Sequence, residues 1–482
     1  MNKLHGVLFG GATANSQYEG GFNVDGKGLD TQECRPYIPR KSNATTETRL
    51  LTRAQIECAK QATSSEGFPF RTGSKGYQHW KEDIDLLIEL GISIYRLSIN
   101  WTRLFPNGDE AQPNLAGIQY YDQIIQYLKA HNIKIFLTMN HFCYPLALIE
   151  KYGGWKNRKM IDFYLTYAQT VFEHWGHLID YYLPINEINA GYFSPYNGLG
   201  LIRENEAETY NQTEIFQGLH HQFVASAKTI ALGRSMTQAK FGCMAACFCY
   251  YPFSCKPEDN LKCMQDEQYY QWFYFDVLAN GKYPYYMTKF FQENNVNLEI
   301  SKEDEEILRN NTADFVSFSY YQSSVVSCEE KTSTAGNLVV TTRNPYLEAT
   351  EWGWQIDPEG LRITLNKLYD RYGKPIIISE NGLGHRDVLV EGAIDDEYRI
   401  EYLSKHFEQM ALAVEDGVDL EAYMMWGIID IVSAGSCEME KRYGVVYVDA
   451  DNYGKGDYRR IKKASFEWYK DFLVKVKRGE TE

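Results

Sequence analysis

Several things that this 482-residue chain does without narrow its function. It has no long apolar run: the longest, Cys243 to Phe253, falls far short of the ~20 residues that a membrane-spanning helix needs. No secretory signal is visible, since Lys3, His5 and Gly6 lead straight into a glycine-rich stretch rather than an apolar core. A surplus of basic charge is missing too. The net charge is −15, which argues against nucleic acid as a main partner and leaves any bound anion to be met by specific cations. The ten cysteines match no zinc-ligand spacing. Five of them (Cys243, Cys247, Cys249, Cys255 and Cys263) crowd together, but Cys247 and Cys249 fall within an apolar strand-like run and read as small buried hydrophobes. Reduced thiols and a cytoplasmic location are therefore expected, where a sequon such as Asn43-Ala44-Thr45 carries no meaning. No metal, cofactor or membrane contact is expected.

Linkers, internal repeats and low-complexity tracts are also lacking, so residues 1–482 read as one domain. Within them strand-like and helical runs alternate. Strands are expected at 8–13, 94–99, 133–139, 181–186, 241–250, 315–321, 376–380 and 420–428. One intervening helix places Ile118, Tyr121, Ile125 and Leu128 on a single face and breaks at Asn132. Another opens on Asp357-Pro358, carries Leu361, Leu365 and Leu368, and stops at Gly373. Eight strands separated by helices predict a closed (β/α)8 TIM barrel. The alternative, a doubly wound open sheet, calls for a glycine-rich phosphate loop after the first strand, and Phe9-Gly10-Gly11-Ala12-Thr13-Ala14 does not match it. Residues 35–76 and 322–350 read as long loops over the catalytic end.

Two strands end abruptly in a carboxylate with an asparagine beside it: Tyr181-Tyr182-Leu183-Pro184-Ile185-Asn186-Glu187 and Ile376-Ile377-Ile378-Ser379-Glu380-Asn381. Two facing carboxylates are what cleavage of a glycosidic bond uses. Other polar residues fall at strand ends as well: Gln17, Arg96, His141, Tyr321, and Trp426 near Asp430. Taken singly, Arg96 reads as a structural ion pair, His141 as a satisfied core histidine and Trp426 as core. Their placement on successive strands points to one site. The 37 tyrosines and 9 tryptophans suit stacking on sugar faces, although core packing accounts for most of them.

These residues sit in segments that resemble glycoside hydrolase family 1, the retaining β-glucosidase family. The resemblance runs over nearly the whole chain and is carried by Phe9 to Gly20, Tyr95 to Arg103, Ile185 to Asn189, Trp352 to Leu361 and Ser379 to Gly382. It implies that Glu187 is the acid/base and Glu380 the nucleophile. It further implies that Asn186 holds the sugar 2-hydroxyl, that Gln17 and His141 hold other hydroxyls, and that Trp354 and Trp426 belong to the substrate pocket. A guanidinium such as Arg96 would lower the pKa of Glu380 and Tyr321 would donate to it, while burial and the charge of Glu380 would raise Glu187. Two departures stand out: Cys143 where the family often has an acid, and Tyr77-Gln78-His79-Trp80 in place of Tyr-His-Arg-Tyr.

Members acting on plain glucosides carry Glu-Trp after the strand that bears Trp426. Here Ser433-Ala434 stands in that place, with Lys441-Arg442-Tyr443 downstream. A carboxylate would repel a 6-phosphate where a serine donates to it. Ser433, Lys441 and Tyr443 therefore look like the phosphate clamp of the 6-phospho-β-glucosidases, against a structural reading as a solvated charged loop. Ala434, in place of the tryptophan of the 6-phosphogalactosidase branch, leans toward glucose. A phosphorylated β-glucoside is the expected partner, and the resemblance implies a link to a phosphorylating sugar transporter. A plain β-glucosidase, a 6-phospho-β-galactosidase and a non-catalytic sugar-phosphate sensor remain the alternatives. A homo-oligomer is compatible with a sequence that does not set the oligomeric state.

Overall fold

A computed structural model describes residues 2–40 and 50–480. The sequon at Asn43 and part of the 35–76 segment lie outside the described residues. Eight strands form the barrel: β1 (Leu8–Ala12), β2 (Ile94–Ser98), β3 (Lys134–Asn140), β4 (Tyr181–Ile185), β5 (Lys240–Pro252), β6 (Phe315–Val326), β7 (Ile376–Asn381) and β8 (Leu420–Trp426). Each pairs in parallel with its sequence neighbour, and β8 pairs with β1, so no edge is left open. The near-continuous apolar runs, such as Ile376-Ile377-Ile378, are explained by burial on both faces between the barrel interior and the outer helices.

The outer helices start and stop where local chemistry dictates. Helix Leu115–Ala130 is capped by the Asn114 side chain, buries Ile118, Tyr121, Ile125 and Leu128, and gives way at Asn132, whose backbone is left-handed. Helix Pro358–Tyr372 opens with Asp357 accepting from the Gly360 N–H at 2.8 Å and closes on left-handed Gly373. All ten cysteines are free, and Cys243, Cys247, Cys249 and Cys263 are buried.

The two expected loops are more structured than their composition suggests. Segment 35–76 holds helix Arg53–Gln61, set by a reciprocal capping box between Thr52 and Gln55, and a short turn of helix at Pro69–Thr72. In segment 322–350 strand β6 continues to Val326, followed by a hairpin of strands Ser333–Ala335 and Val340–Thr342. Among the described residues no helix is long and apolar enough to cross a membrane.

Candidate active site

Glu187 lies just beyond β4 in a left-handed backbone conformation (φ +35°), which costs a non-glycine residue on the order of 1–3 kcal/mol. Surrounding hydrogen bonds hold it there. Asn186 N–H donates to Asn140 O at 2.9 Å, and Ile188 N–H donates to Met244 O at 3.1 Å. Asn189 clips the same segment to β5, donating to Ala246 O at 2.9 Å and accepting from Ala246 N–H at 2.8 Å.

Glu380 is aimed by a bulge. Between the pairs Phe318/Ile378 and Ser319/Glu380, β7 advances two residues while β6 advances one. Against β8 it advances three, from Ile378 to Asn381, for two from Tyr423 to Met425. The extra residue breaks strict alternation and turns the carboxylate into the barrel mouth.

Arg96, on β2, joins the two strand ends. Its guanidinium donates to Glu380 Oε1 at 2.7 Å, Ser379 O at 3.1 Å and Asn186 Oδ1 at 2.5 Å, with Nε held by Thr138 Oγ1 at 2.9 Å. Tyr321 donates to the other Glu380 oxygen at 2.8 Å. Burial nevertheless raises the Glu380 carboxyl above its ordinary value, outweighing Arg96 and Tyr321, which both push it down. The contacts expected from the sequence are present, but the net direction is opposite to that expectation. Glu187 is pushed up to about 8 by burial first and by the charge of Glu380 second. Its donors are neutral: the Ser319 hydroxyl and, at 3.5 Å, Asn337 Nδ2, both on Oε1.

The remaining predicted residues line the same mouth. His141 stacks on Trp426 with ring centroids 5.4 Å apart, and its Nε2 lies 4.0 Å from Glu380 Oε1. Burial, and then Arg96, push its imidazole pKa well below the ordinary histidine value. Gln17 donates to Val432 O at 2.7 Å, beside Ser433. Three buried polar atoms of this wall, Gln17 Oε1, His141 Nδ1 and Asn186 Nδ2, have no partner among the described residues, which leaves them open to a hydroxylated ligand.

A second cluster adjoins the first through Tyr321, whose ring lies 5.3 Å from that of Trp354. Lys441 Nζ sits 3.4 Å above Trp354 and 5.4 Å from Trp352, and Ser433 Oγ is 3.2 Å from Tyr443 OH. Ser433, Lys441 and Tyr443 are all buried, which removes the solvated-loop reading. The loop after β7 is zipped to this cluster by reciprocal His385–Arg442 backbone bonds of 2.9 and 3.0 Å. Arg399 donates at 2.7 Å to both Leu383 O and Tyr443 O. Asp430 holds the same loop from behind, accepting from Gly444 N–H at 3.0 Å and Lys463 at 2.9 Å.

Sequence reasoning missed Thr138, Ser319, Asn337 and Trp352. Ser319 carried a signal: it lies two residues before Tyr321 on one strand and so shares its face. The first departure, Cys143, is a buried thiol 3.4 Å from Asn15 Oδ1. The second lies in helix Gly76–Leu90, where Tyr77 stacks on Tyr120 and Trp80 packs edge-on against Tyr127. A cavity of about 570 Å³, lined by Lys134, Asp180, Tyr181 and Lys240, opens at the strand starts, away from both carboxylates. Among the described residues no group of three or more His, Cys, Asp or Glu side chains is placed to hold a metal ion.

Comparison with known proteins places the chain in a family. Residues 4–478 match the model of glycosyl hydrolase family 1. The aryl-phospho-beta-D-glucosidase BglH of Bacillus subtilis (strain 168) is 44% identical over 475 residues, 97% of each chain. The 6-phospho-beta-glucosidase AscB of Escherichia coli (strain K12) is 43% identical, again over 97% of each chain. A 6-phospho-beta-galactosidase of Clostridium acetobutylicum is 29% identical over 96% of this chain and 95% of its own. Among solved structures, the family 1 b-glucosidase from Thermotoga maritima superimposes with a TM-score of 0.80 at 28% identity, covering 99% of this chain and 98% of its own. The chain therefore belongs to glycosyl hydrolase family 1 and is a glycoside hydrolase.

Proposed function

We propose that the enzyme hydrolyses 6-phospho-β-D-glucosides with retention of configuration, Glu380 acting as nucleophile and Glu187 as acid/base. In the first step a Glu380 oxygen bonds to the anomeric carbon while Glu187 gives its proton to the departing glycosidic oxygen. Esterification removes the negative charge that raises Glu187, so the residue becomes a base, takes a proton from water, and the resulting attack restores the Glu380 carboxylate. Arg96 and Tyr321 orient the nucleophile. Gln17, His141, Asn186, Trp354 and Trp426 hold the sugar.

The observation that carries the substrate assignment is the buried Ser433–Lys441–Tyr443 cluster beside the carboxylate pair. It supplies a cation and two hydroxyls where plain-glucoside enzymes place a carboxylate. The names of the relatives at 43–44% identity support it, and the lower identity to the 6-phospho-beta-galactosidase supports glucose over galactose. A core running from Leu4 to Val476 supports a single catalytic domain. A doubly charged substrate crosses no membrane unaided, so we place the enzyme in the cytoplasm behind a transporter that phosphorylates its cargo.

The test is hydrolysis of a chromogenic β-glucoside with and without a 6-phosphate. Strong preference for the phosphorylated compound is expected. Preference for the plain glucoside would leave the glycosidase and overturn the phosphate reading.

A further inference from the structure

Gln322 follows Tyr321 directly and is 1% exposed, yet neither its Oε1 nor its Nε2 has a hydrogen-bond partner among the described residues. A primary amide buried with both ends unpaired is costly, and native proteins meet such groups with water or ligand. From Cys247/Tyr320 to Cys249/Ser323, β6 advances three residues for two on β5, a bulge that interrupts alternation at Tyr321 and Gln322.

Directly over the amide lies Gly336, at the tip of the hairpin inserted after β6. A Cβ at that glycine would fall 1.8 Å from Nε2 and 2.2 Å from Oε1, so the amide holds its present position only while residue 336 has no side chain to push it aside. The next residue, Asn337, reaches Glu187 Oε1. Leu338 and Val339 then pack with Phe248, Tyr250 and Val326, giving the tip an apolar wall. The unpaired amide thus sits one residue along the tip from the contact with Glu187.

We propose that Gln322 recognises hydroxyl groups of the leaving group and makes the enzyme selective for a sugar leaving group over an aryl one. The proposal rests on Glu187 being the acid, because the acid faces the departing oxygen. The chemistry is complementary: Oε1 accepts from one hydroxyl and Nε2 donates to its neighbour, which a vicinal diol satisfies and an aryl ring does not. A site built to hydrogen-bond a hydroxyl discriminates strongly against a ligand lacking it, since the buried polar group is then left unpaired.

The experiment compares kcat/KM for a β-1,4-linked glucose disaccharide, phosphorylated on the 6-position of its non-reducing sugar, with that for 4-nitrophenyl 6-phospho-β-glucoside. Gln322→Met, close in volume but without the amide, is expected to lower the disaccharide-to-aryl ratio by roughly ten- to hundredfold. Its thermal stability is expected to match or exceed wild type, since an unpaired buried amide is removed. A ratio within about twofold of wild type would overturn the proposal. Should Gln322→Met fail to fold, Gln322→Asn withdraws the same amide by one methylene and gives the same comparison. The ratio is measured also on the two unphosphorylated substrates, so failure of the phosphate reading and failure of the Gln322 reading appear in different columns.

Discussion

Glu187 and Glu380 are the same residue type in the same buried mouth, and their neighbours divide the work between them. Glu380 has a guanidinium on one oxygen and a phenol on the other, whereas among the described residues the donors to Glu187 are neutral. On the proposed mechanism turnover needs Glu187 protonated and Glu380 ionised. The rate should therefore fall as pH rises through about 8, with Glu187, and fall again on the acid side at a pH above the ordinary carboxylate value, with Glu380. A pH profile of kcat/KM checks both limbs. Glu187→Gln should erase the alkaline limb for a dinitrophenyl leaving group, which needs no proton, and added azide should give a β-glycosyl azide; an α-azide would reverse the roles. Stability follows the same group. The native state binds the Glu187 proton more tightly than the unfolded chain does, so its contribution is present below the unfolded value of about 4.3 and is lost as pH rises toward about 8. Glu187→Gln should then gain stability over wild type on the order of 2–4 kcal/mol between about pH 5 and pH 9, read from denaturant midpoints. At this scale the carboxylates and Arg96 were legible because each interrupts or ends an apolar strand. The net direction at Glu380 was not, because a sequence shows the neighbouring cation but not the cost of desolvation. Asn337 was hidden by its place on a hairpin tip.

Elements were legible wherever periodicity or capping marked them. All eight barrel strands and the helices opening at Asn114 and Asp357 lie where patterning puts them. The helix at Arg53–Gln61 was missed although Thr52-Arg53-Ala54-Gln55 spells its capping box, because only Ile56 and Ala59 of it are buried and the apolar stripe is thin. The hairpin after β6 was missed because its strands are three residues each, too short for alternation to register. The joined loops after β7 and β8 carry a test of the proposed phosphate cluster. A Cβ at Gly384 would lie 2.5 Å from Lys441 Cε, the flexible end of that side chain. Gly384→Ala should therefore fold normally but displace the ammonium, lowering kcat/KM for phosphorylated substrate while sparing the plain one. Lys441→Ala should lose on the order of 2–5 kcal/mol in kcat/KM with phosphorylated substrate, the usual cost of removing one partner of a buried charge pair. Ser433→Glu should raise the plain-to-phosphorylated ratio sharply, because it adds a repulsive carboxylate. Unchanged ratios in all three would place these residues outside substrate binding.

On the scale of the whole molecule, a chain of net charge −15 keeps a cation buried beside two carboxylates at the open end of a closed barrel. Such an acidic surface does not by itself attract a phosphorylated sugar, so affinity has to come from the few groups inside the mouth. The barrel makes that possible by bringing Arg96, Glu187, Tyr321 and Glu380 from four strands to one rim, with the Ser433 and Lys441 loop closing the far side. The most direct measurement is intact-protein and peptide mass spectrometry after incubation with a 2-deoxy-2-fluoro-β-glucoside bearing a dinitrophenyl leaving group, used with and without a 6-phosphate. The expected result is one covalent adduct, on Glu380, formed much faster with the phosphorylated reagent. An adduct on another residue, no adduct at all, or equal labelling by the two reagents would contradict the account.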